Sequence, residues 1–337
     1  MGLYVLRRLG FLVVLIIGVS LMVFIISHMV PSDPVVVNLS KRNLNNPKMV
    51  AAFKEKWGLD KPLHIQYLIY LKKLCQLDMG VSIKTKRPVI EDLKRYLPAT
   101  AEMAFFGLMF AVFFGMIFGV ISAVKRNSVT DQVVRALSVS GIAIPNFWIS
   151  LVVLYIFYYK LGWAPGPGRL SPIMDPPATV TGMYTVDALL QGDWEVFWNA
   201  VHHLILPSLV LGLFTMGLIT RTTRSSLLET LSQDYIRTAR AKGLTERMIV
   251  VKHALGNALI PVITVIGLGF SNLLGGTVLV ETIFGWPGIG MYAYKSATSL
   301  DFPAIIGVAL FLAVNFVVIN LIIDLLYGVI DPRVRYS

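Results

Sequence analysis

The sequence predicts an all-α membrane protein with six transmembrane helices and a small helical extracytoplasmic insertion. Three observations carry that prediction. Of 337 residues, 55% are hydrophobic and only 15% are charged. The mean hydropathy is +0.70. The apolar residues gather in runs, several of them longer than the ~18 residues that mark a membrane span, instead of recurring at the period of a soluble core. Length alone would suggest about two soluble domains. The runs exclude that, and they exclude a disordered chain as well. A disulfide scaffold is excluded because Cys75 is the only cysteine and has no internal partner.

The six apolar stretches are Leu9–Val30, Ala99–Val124, Ala136–Tyr159, Leu204–Thr220, Leu259–Phe284 and Ala304–Val329. Each is expected to be helical, because lipid offers no partner for backbone N–H and C=O groups. The fourth is short and must borrow from its flanks. The first follows Arg7-Arg8 as a signal peptide would, but it is long for one and no small-residue cleavage site follows, so an uncleaved helix is expected. With the N-terminus in the cytoplasm, the inside segments 1–8, 125–135, 221–258 and 330–337 carry 14 Lys and Arg. The outside segments 160–203 and 285–303 carry 3. This is the positive-inside pattern. Segment 31–98 carries another 13, but it exceeds the ~60 residues over which the rule acts. The organisation expected is an N-terminal helix (1–30), an outer insertion (31–98), a transmembrane core (99–329) and a cytoplasmic tail (330–337).

Within the insertion, Tyr67, Tyr70, Leu71 and Leu74 share one helical face, with Lys72 and Lys73 off it, which predicts an amphipathic helix. Asn38-Leu39-Ser40 fits a glycosylation sequon. Glu102, Glu281 and Asp324 lie in or at the ends of spans, where a charge costs a few kcal/mol and calls for a role. Glu102 and Glu281, with Asn146 and Asn272, are the candidates for a substrate pathway; structural pairing, or water at the outer boundary, is the competing account of the acids. Asp324 is expected to pair with Arg333, Arg335 or another helix. Asn315 and Asn320 suit hydrogen bonds between helices. Pro145-Asn146 interrupts the third stretch, and Gly267, Gly269, Gly275 and Gly276 give the fifth a close-packing surface. Too few ligands lie near His253 for a metal site, and His202-His203 is a boundary pair, so no metal is expected.

The cytoplasmic segment 221–258 is the most informative. Asp234 opens a helical run through Lys242, its acid at the start and its cations at the end. Gly243 fits the position just past a C-terminus, and Thr245 can cap a second helix running through His253 and Asn257 toward Pro261. The result is helix, elbow, helix, with Leu244 as an apolar tip, a pattern suited to docking a protein.

Tyr235–Leu244 and His253–Pro261 closely resemble the signature loop of ABC-importer permeases, in the form used by the dipeptide, oligopeptide and nickel branch. Arg237-Thr238-Ala239 and Ile260-Pro261 depart from the generic Glu-Ala-Ala and Leu-Pro, in the manner of that branch. Other segments agree: Leu6-Arg7-Arg8, His28–Pro34, Gly58–Pro62, Asp78–Ser82 (with Leu77 where glycine is usual), Leu97–Thr100, Glu281–Gly290 and Asp331–Arg333. The resemblance covers nearly the whole chain and is greatest to the B-type subunit of a dipeptide importer.

It implies the type I importer permease fold and a non-catalytic transport subunit of the inner membrane, both termini cytoplasmic. It further implies a homologous second permease, two ATPase subunits that bind ATP and Mg, and an extracytoplasmic binding protein delivering dipeptides or short peptides. Nickel chelates, glutathione and oligosaccharides are handled by similar permeases. The ATPase contact is expected at Arg237, Ala239, Ala241, Gly243 and Leu244. No Gly-x4-Gly-Lys-Ser/Thr phosphate loop occurs, so this chain has no ATP site of that kind. A secondary transporter, which would need no ATPase, should show inverted repeats, and no convincing repeat is legible; nor is the nucleophile–base pair of an intramembrane hydrolase. The net charge of +11 divides into +9 on cytoplasmic segments and +7 on the long outer loop, balanced by acids elsewhere. That division suits a membrane protein and not a nucleic-acid footprint. The outer +7 is expected to meet an acidic face of the binding protein.

Overall fold

The computed structural model describes residues 2–29, 46–275 and 278–330. These residues form helices joined by turns, with one isolated bridge, Val81 to Pro88, and no strand among them. In chain order the helices are α1 (Gly2–Met29), α2 (Pro47–Trp57), α3 (Leu63–Cys75), α4 (Val89–Val124), α5 (Val129–Ala143), α6 (Asn146–Lys160), α7 (Tyr184–Gln191), α8 (Trp194–Leu231), α9 (Asp234–Ala241), α10 (Glu246–Leu274), α11 (Val278–Ile283), α12 (Ile289–Thr298) and α13 (Phe302–Ile330). α6 widens into a π-helix over Leu154–Lys160, and α10 does so over Ile249–Ala254. Among the described residues, α4, α8, α10 and α13 are long and apolar enough to cross a membrane, the α5–α6 pair makes a fifth span if counted as one, and α1 holds the apolar stretch Leu9–Ile25.

The centre of the bundle is the seam between α4 and α8. Gly107, Ala111, Gly115, Gly119 and Ala123 recur every fourth residue and are all buried. A Cβ on Gly115 would lie 2.8 Å from Ile219 Cγ2, and one on Gly119 would lie 2.5 Å from Thr223 Cβ. From the other side, a Cβ on Gly212 would lie 2.6 Å from the Gly107 carbonyl. The constant offset between partners means that the two helices run parallel, backbone against backbone, as small residues allow in lipid. Gly217 abuts the Ser138 carbonyl of α5, Gly269 abuts Thr215, and Gly267 abuts Ile323 of α13. The close-packing role expected for the fifth stretch therefore holds at Gly267 and Gly269. Gly275 instead ends α10, and Gly276 lies outside the described residues.

Five elements differ from expectation. α4 starts at Val89 and not Ala99, carrying Pro98 within it, so the last ten residues of segment 31–98 are already helical. α8 extends well beyond Leu204–Thr220 on both sides, as a short apolar run must. The third stretch is not one continuous helix: α5 and α6 meet at 104°. Pro145 has no N–H to donate and forces Ile144 into an extended conformation (φ −83°, ψ 128°). The fifth stretch stops at Leu274, and its last residues form α11. The expected outer loop 285–303 is largely the helix α12.

The amphipathic α3 lies along α1. Tyr67 Oη donates to the Ile17 carbonyl (3.0 Å), and Tyr67 and Tyr70 pack on Phe24. α2 has Asn46 as its N-cap, Pro47 in its first turn and left-handed Gly58 at its end, the expected asymmetry of proline and glycine. Asn38, Pro31–Pro34 and 331–335 lie outside the described residues, as does the side chain of Asp324.

Candidate functional site

The elbow between α9 and α10 is built as its sequence requires. α9 turns Ile236 and Ala239 inward against Leu227, Ile249, Val250 and Ala254, with Ala123 of α4 closing the cluster. Gly243 adopts φ +77°, a left-handed conformation that glycine takes at no steric cost, and its N–H donates to the Arg240 carbonyl (2.9 Å). Thr245 Oγ1 accepts from Met248 N, capping α10. Arg240 Nε donates to Glu246 Oε1 (2.8 Å) across the turn; that hydrogen bond holds the Glu246 carboxyl below its usual range. Asn257 Nδ2 donates to Tyr235 Oη (2.8 Å), fixing α9 to α10.

The five docking candidates divide. Arg237, Ala241 and Gly243 are exposed, the Arg237 side chain by 75%. Ala239 is buried, and Leu244 is half-buried against the cluster. Leu244 is therefore an inner wedge and not the exposed tip expected of it, because a leucine beside an apolar cluster gains by turning inward. Met248 and Val251 supply exposed apolar surface instead.

The pathway candidates divide too. Neither Glu102 nor Glu281 reaches water: they are 2% and 0% exposed. Glu102 Oε2 accepts from Arg169 Nη2 (2.7 Å), and its Oε1 accepts from both Thr185 N and Oγ1 (2.7 Å each). The guanidinium stacks 3.5 Å from the Tyr184 ring, which anchors the outer segment before α7 to α4. Nearby, burial alone would raise the Asp187 carboxyl, but hydrogen bonds from Thr181 and Gly182 prevail and hold it below the usual range.

Glu281 Oε2 accepts from Met291 N and its Oε1 from Thr100 Oγ1, both at 2.8 Å. Thr100 Oγ1 accepts in turn from Ile289 N. The pair thus satisfies the free N–H groups that open α12. Gly288 is required because a Cβ there would strike Thr100 Oγ1 and Glu281. The segment 281–290 is a helix-capping device. Asn146 is half-buried at the start of α6, and Asn272 is exposed on α10.

Glu102→Ala is expected to leave Arg169 buried without its carboxylate, costing about 3 kcal/mol or more and lowering the thermal unfolding midpoint of the purified protein. A variant with unchanged stability and altered substrate selectivity would instead place Glu102 on the pathway. His202 Nε2 bonds the Trp163 carbonyl and His203 Nδ1 the Asn199 carbonyl. Among the described residues no group of three His, Cys, Asp or Glu could hold a metal ion.

Residues 115–336 match the family model of the binding-protein-dependent transport system inner membrane component, and residues 1–104 match the model of the N-terminal part of such membrane components. The chain belongs to this permease family. The permease is 47% identical over 328 residues (97% of this chain, 96% of the relative) to the probable D,D-dipeptide transport system permease protein DdpB of Escherichia coli K12. It is 43% identical to the dipeptide transport system permease protein DppB of Alkalihalophilus pseudofirmus, with 99% of each chain covered. It is 38% identical to the glutathione transport system permease protein GsiC of Salmonella choleraesuis, again with 99% of each covered. The inward-facing MetNI methionine ABC transporter superposes on it with a TM-score of 0.53 at 18% identity, covering 72% of this chain and 97% of that one. That likeness shows the type I permease fold. The permease is a multi-pass inner-membrane transport subunit and not an enzyme; ATP hydrolysis belongs to a separate subunit of such importers, which also use a binding protein.

One buried group in the permease escaped the sequence reading. Asp131, fully buried, receives Arg224 Nε on Oδ1 (2.8 Å) and Nη2 on Oδ2 (2.9 Å), together with Ser122 Oγ (2.5 Å) and Asn127 N (2.9 Å). This lock ties the elbow-side ends of α4, α5 and α8 together. Nothing in the local pattern marks it, because Arg224 is 93 residues away.

Proposed function

We propose that this permease is one of two homologous membrane subunits of an ATP-driven importer for dipeptides or short peptides, with both termini in the cytoplasm. The observation that carries the reading is the closed elbow, a rigid helical corner whose outer face is exposed while its inner face is packed on α4, α8 and α10. Arg237, Ala241 and Gly243 form the contact with an ATPase subunit in this reading. Ala239 and Leu244 keep the corner in shape from inside. ATP and Mg are bound by two such partners. Their closure carries the corner inward, and α10 moves with it, because the corner is continuous with that helix. This is coupling through packed rigid elements with two arrangements. The relatives named for dipeptides are more identical to this chain (47% and 43%) than the one named for glutathione (38%), which supports peptides over nickel chelates, glutathione or oligosaccharides. Asn146 and Asn272 are the polar groups left for the pathway; Glu102 and Glu281 act in packing.

The test is ATP hydrolysis by the assembled complex in lipid nanodiscs, with its binding protein presented alone or with each ligand class. Dipeptides, including a D,D-dipeptide, are expected to give the largest stimulation. Stimulation by glutathione or a nickel chelate alone would reassign the cargo. Uptake into vesicles without any ATPase partner would favour a secondary transporter.

A further inference from the structure

The outer insertion ends in a turn that is held far more firmly than a surface turn needs. Residues 81–88 close on themselves: Val81 bridges Pro88, Ser82 N donates to the Arg87 carbonyl, and Lys86 N to the Ser82 carbonyl. Two carboxylates that are both 0% exposed then grip the turn from below. Asp301, in the α12–α13 connection, accepts from Ser82 Oγ (2.5 Å) and Lys84 N (3.1 Å). Asp92, in the first turn of α4, accepts from Thr85 Oγ1 (2.5 Å) and Tyr292 Oη of α12 (3.1 Å) and pairs with Arg87 (2.7 Å). Lys86 is held at φ +59°, in the left-handed region. Burying carboxylates is costly unless they are paired and hydrogen-bonded, so two of them spent on one short turn mark a shape that must be kept.

What the clasp presents is positive. Lys84 and Lys86 are exposed at the turn, and Lys94 and Arg95 are exposed on the second turn of α4 beside it. Glu91 is the one exposed acid between residues 79 and 95. The turn lies at the Val89 end of α4. The elbow lies at the other end, where Ala123 joins its cluster, so the two are on opposite faces of the membrane.

We infer that the clasped turn 81–88 is a preformed cationic knob that docks an acidic face of the extracytoplasmic binding protein and passes the load of docking, through Asp92 and Asp301, into α4, α12 and α13. The inference rests on the importer reading above and names the surface on which its binding protein lands. A rigid turn suits a protein partner, because fixing the shape beforehand removes ordering cost from binding. Anionic lipid headgroups are mobile and need no such rigidity. The knob also gives part of the outer +7 a place and a use.

The experiment measures how much liganded binding protein half-maximally stimulates ATP hydrolysis by the complete complex in nanodiscs. Lys84→Glu with Lys86→Glu is expected to raise that concentration about tenfold and to flatten its salt dependence, since charges at the rim of an interface act on association and its screening. Lys61→Glu with Lys72→Glu, an equal charge change at exposed positions of the same insertion, is expected to leave it unchanged. Asp301→Asn is expected to lower the maximal stimulation more than it moves the half-saturating concentration. The inference is overturned if both double variants behave alike, or if the first has no effect. It is also overturned if removing anionic lipid from the unaltered complex reproduces the shift. An unaltered complex that no binding protein stimulates would sink the importer reading instead.

Discussion

Gly243→Pro is expected to stop ATP-driven uptake while the permease still inserts and still assembles with its partners. Proline fixes φ near −65° and has no N–H to give, whereas Gly243 sits at +77° and donates to Arg240. The substitution costs about 3 kcal/mol or more if the corner keeps its shape, and the corner is the cheaper thing to lose. Once it opens, Arg240 parts from Glu246 and α9 no longer presents Arg237 and Ala241 together. Gly243→Ala is the control. A Cβ there meets nothing within 4 Å, so only the left-handed penalty of about 1–2 kcal/mol remains, and most uptake should survive. Uptake into proteoliposomes and co-purification of the ATPase would be read side by side. Normal uptake by the proline variant would end the assignment of this corner as the coupling contact.

The second large effect is expected at the inner lock. Arg224→Ala strips a fully buried Asp131 of its bidentate partner, and breaking a buried pair from one side costs about 3–5 kcal/mol. The yield of folded protein and its unfolding midpoint should both fall. Arg224→Lys should recover only part of this, because an ammonium cannot match the planar fork of the guanidinium. Arg224→Ala combined with Asp131→Asn should be more stable than Arg224→Ala alone, since no buried carboxylate is left with only the longer pairing to Arg135 (3.7 Å). If the double variant is no better, the carboxylate is compensated without Arg224, by Arg135 at 3.7 Å or by water or headgroups, and Arg224 is not what holds the lock.

The sequence made legible whatever is local. Composition and apolar runs were enough for an all-helical membrane bundle, and the first-turn acid Asp234, the left-handed Gly243 and the cap Thr245 were enough for the elbow, whose geometry follows from residues within one or two turns. Long-range choices were hidden. Leu244 reads as a tip because its neighbours along the chain are polar, while the cluster it packs against draws Ile236, Ile249 and Ala254 from both sides of the turn. Glu102 and Glu281 looked like pathway acids because their partners Arg169, Thr185, Thr100 and Met291 are brought near only by folding. The small-residue ladder from Gly107 to Ala123 is local, with a strict period of four, but which helix it faces is set only by folding.

That ladder makes α4 and α8 behave as one beam. At 1.5 Å per residue, helices of 36 and 38 residues are each about 55 Å long, well beyond the ~30 Å of hydrocarbon. Laid in parallel with backbones touching, they resist bending and sliding together, since any slip drives Ile219 or Thr223 into a backbone that has no side chain to move aside. The outer end of the beam carries the knob and its inner end carries the elbow. Over the ladder a displacement at the elbow is therefore carried without slip, while nearer the knob Pro98 and Pro207 each remove a backbone hydrogen bond and mark where the beam can bend.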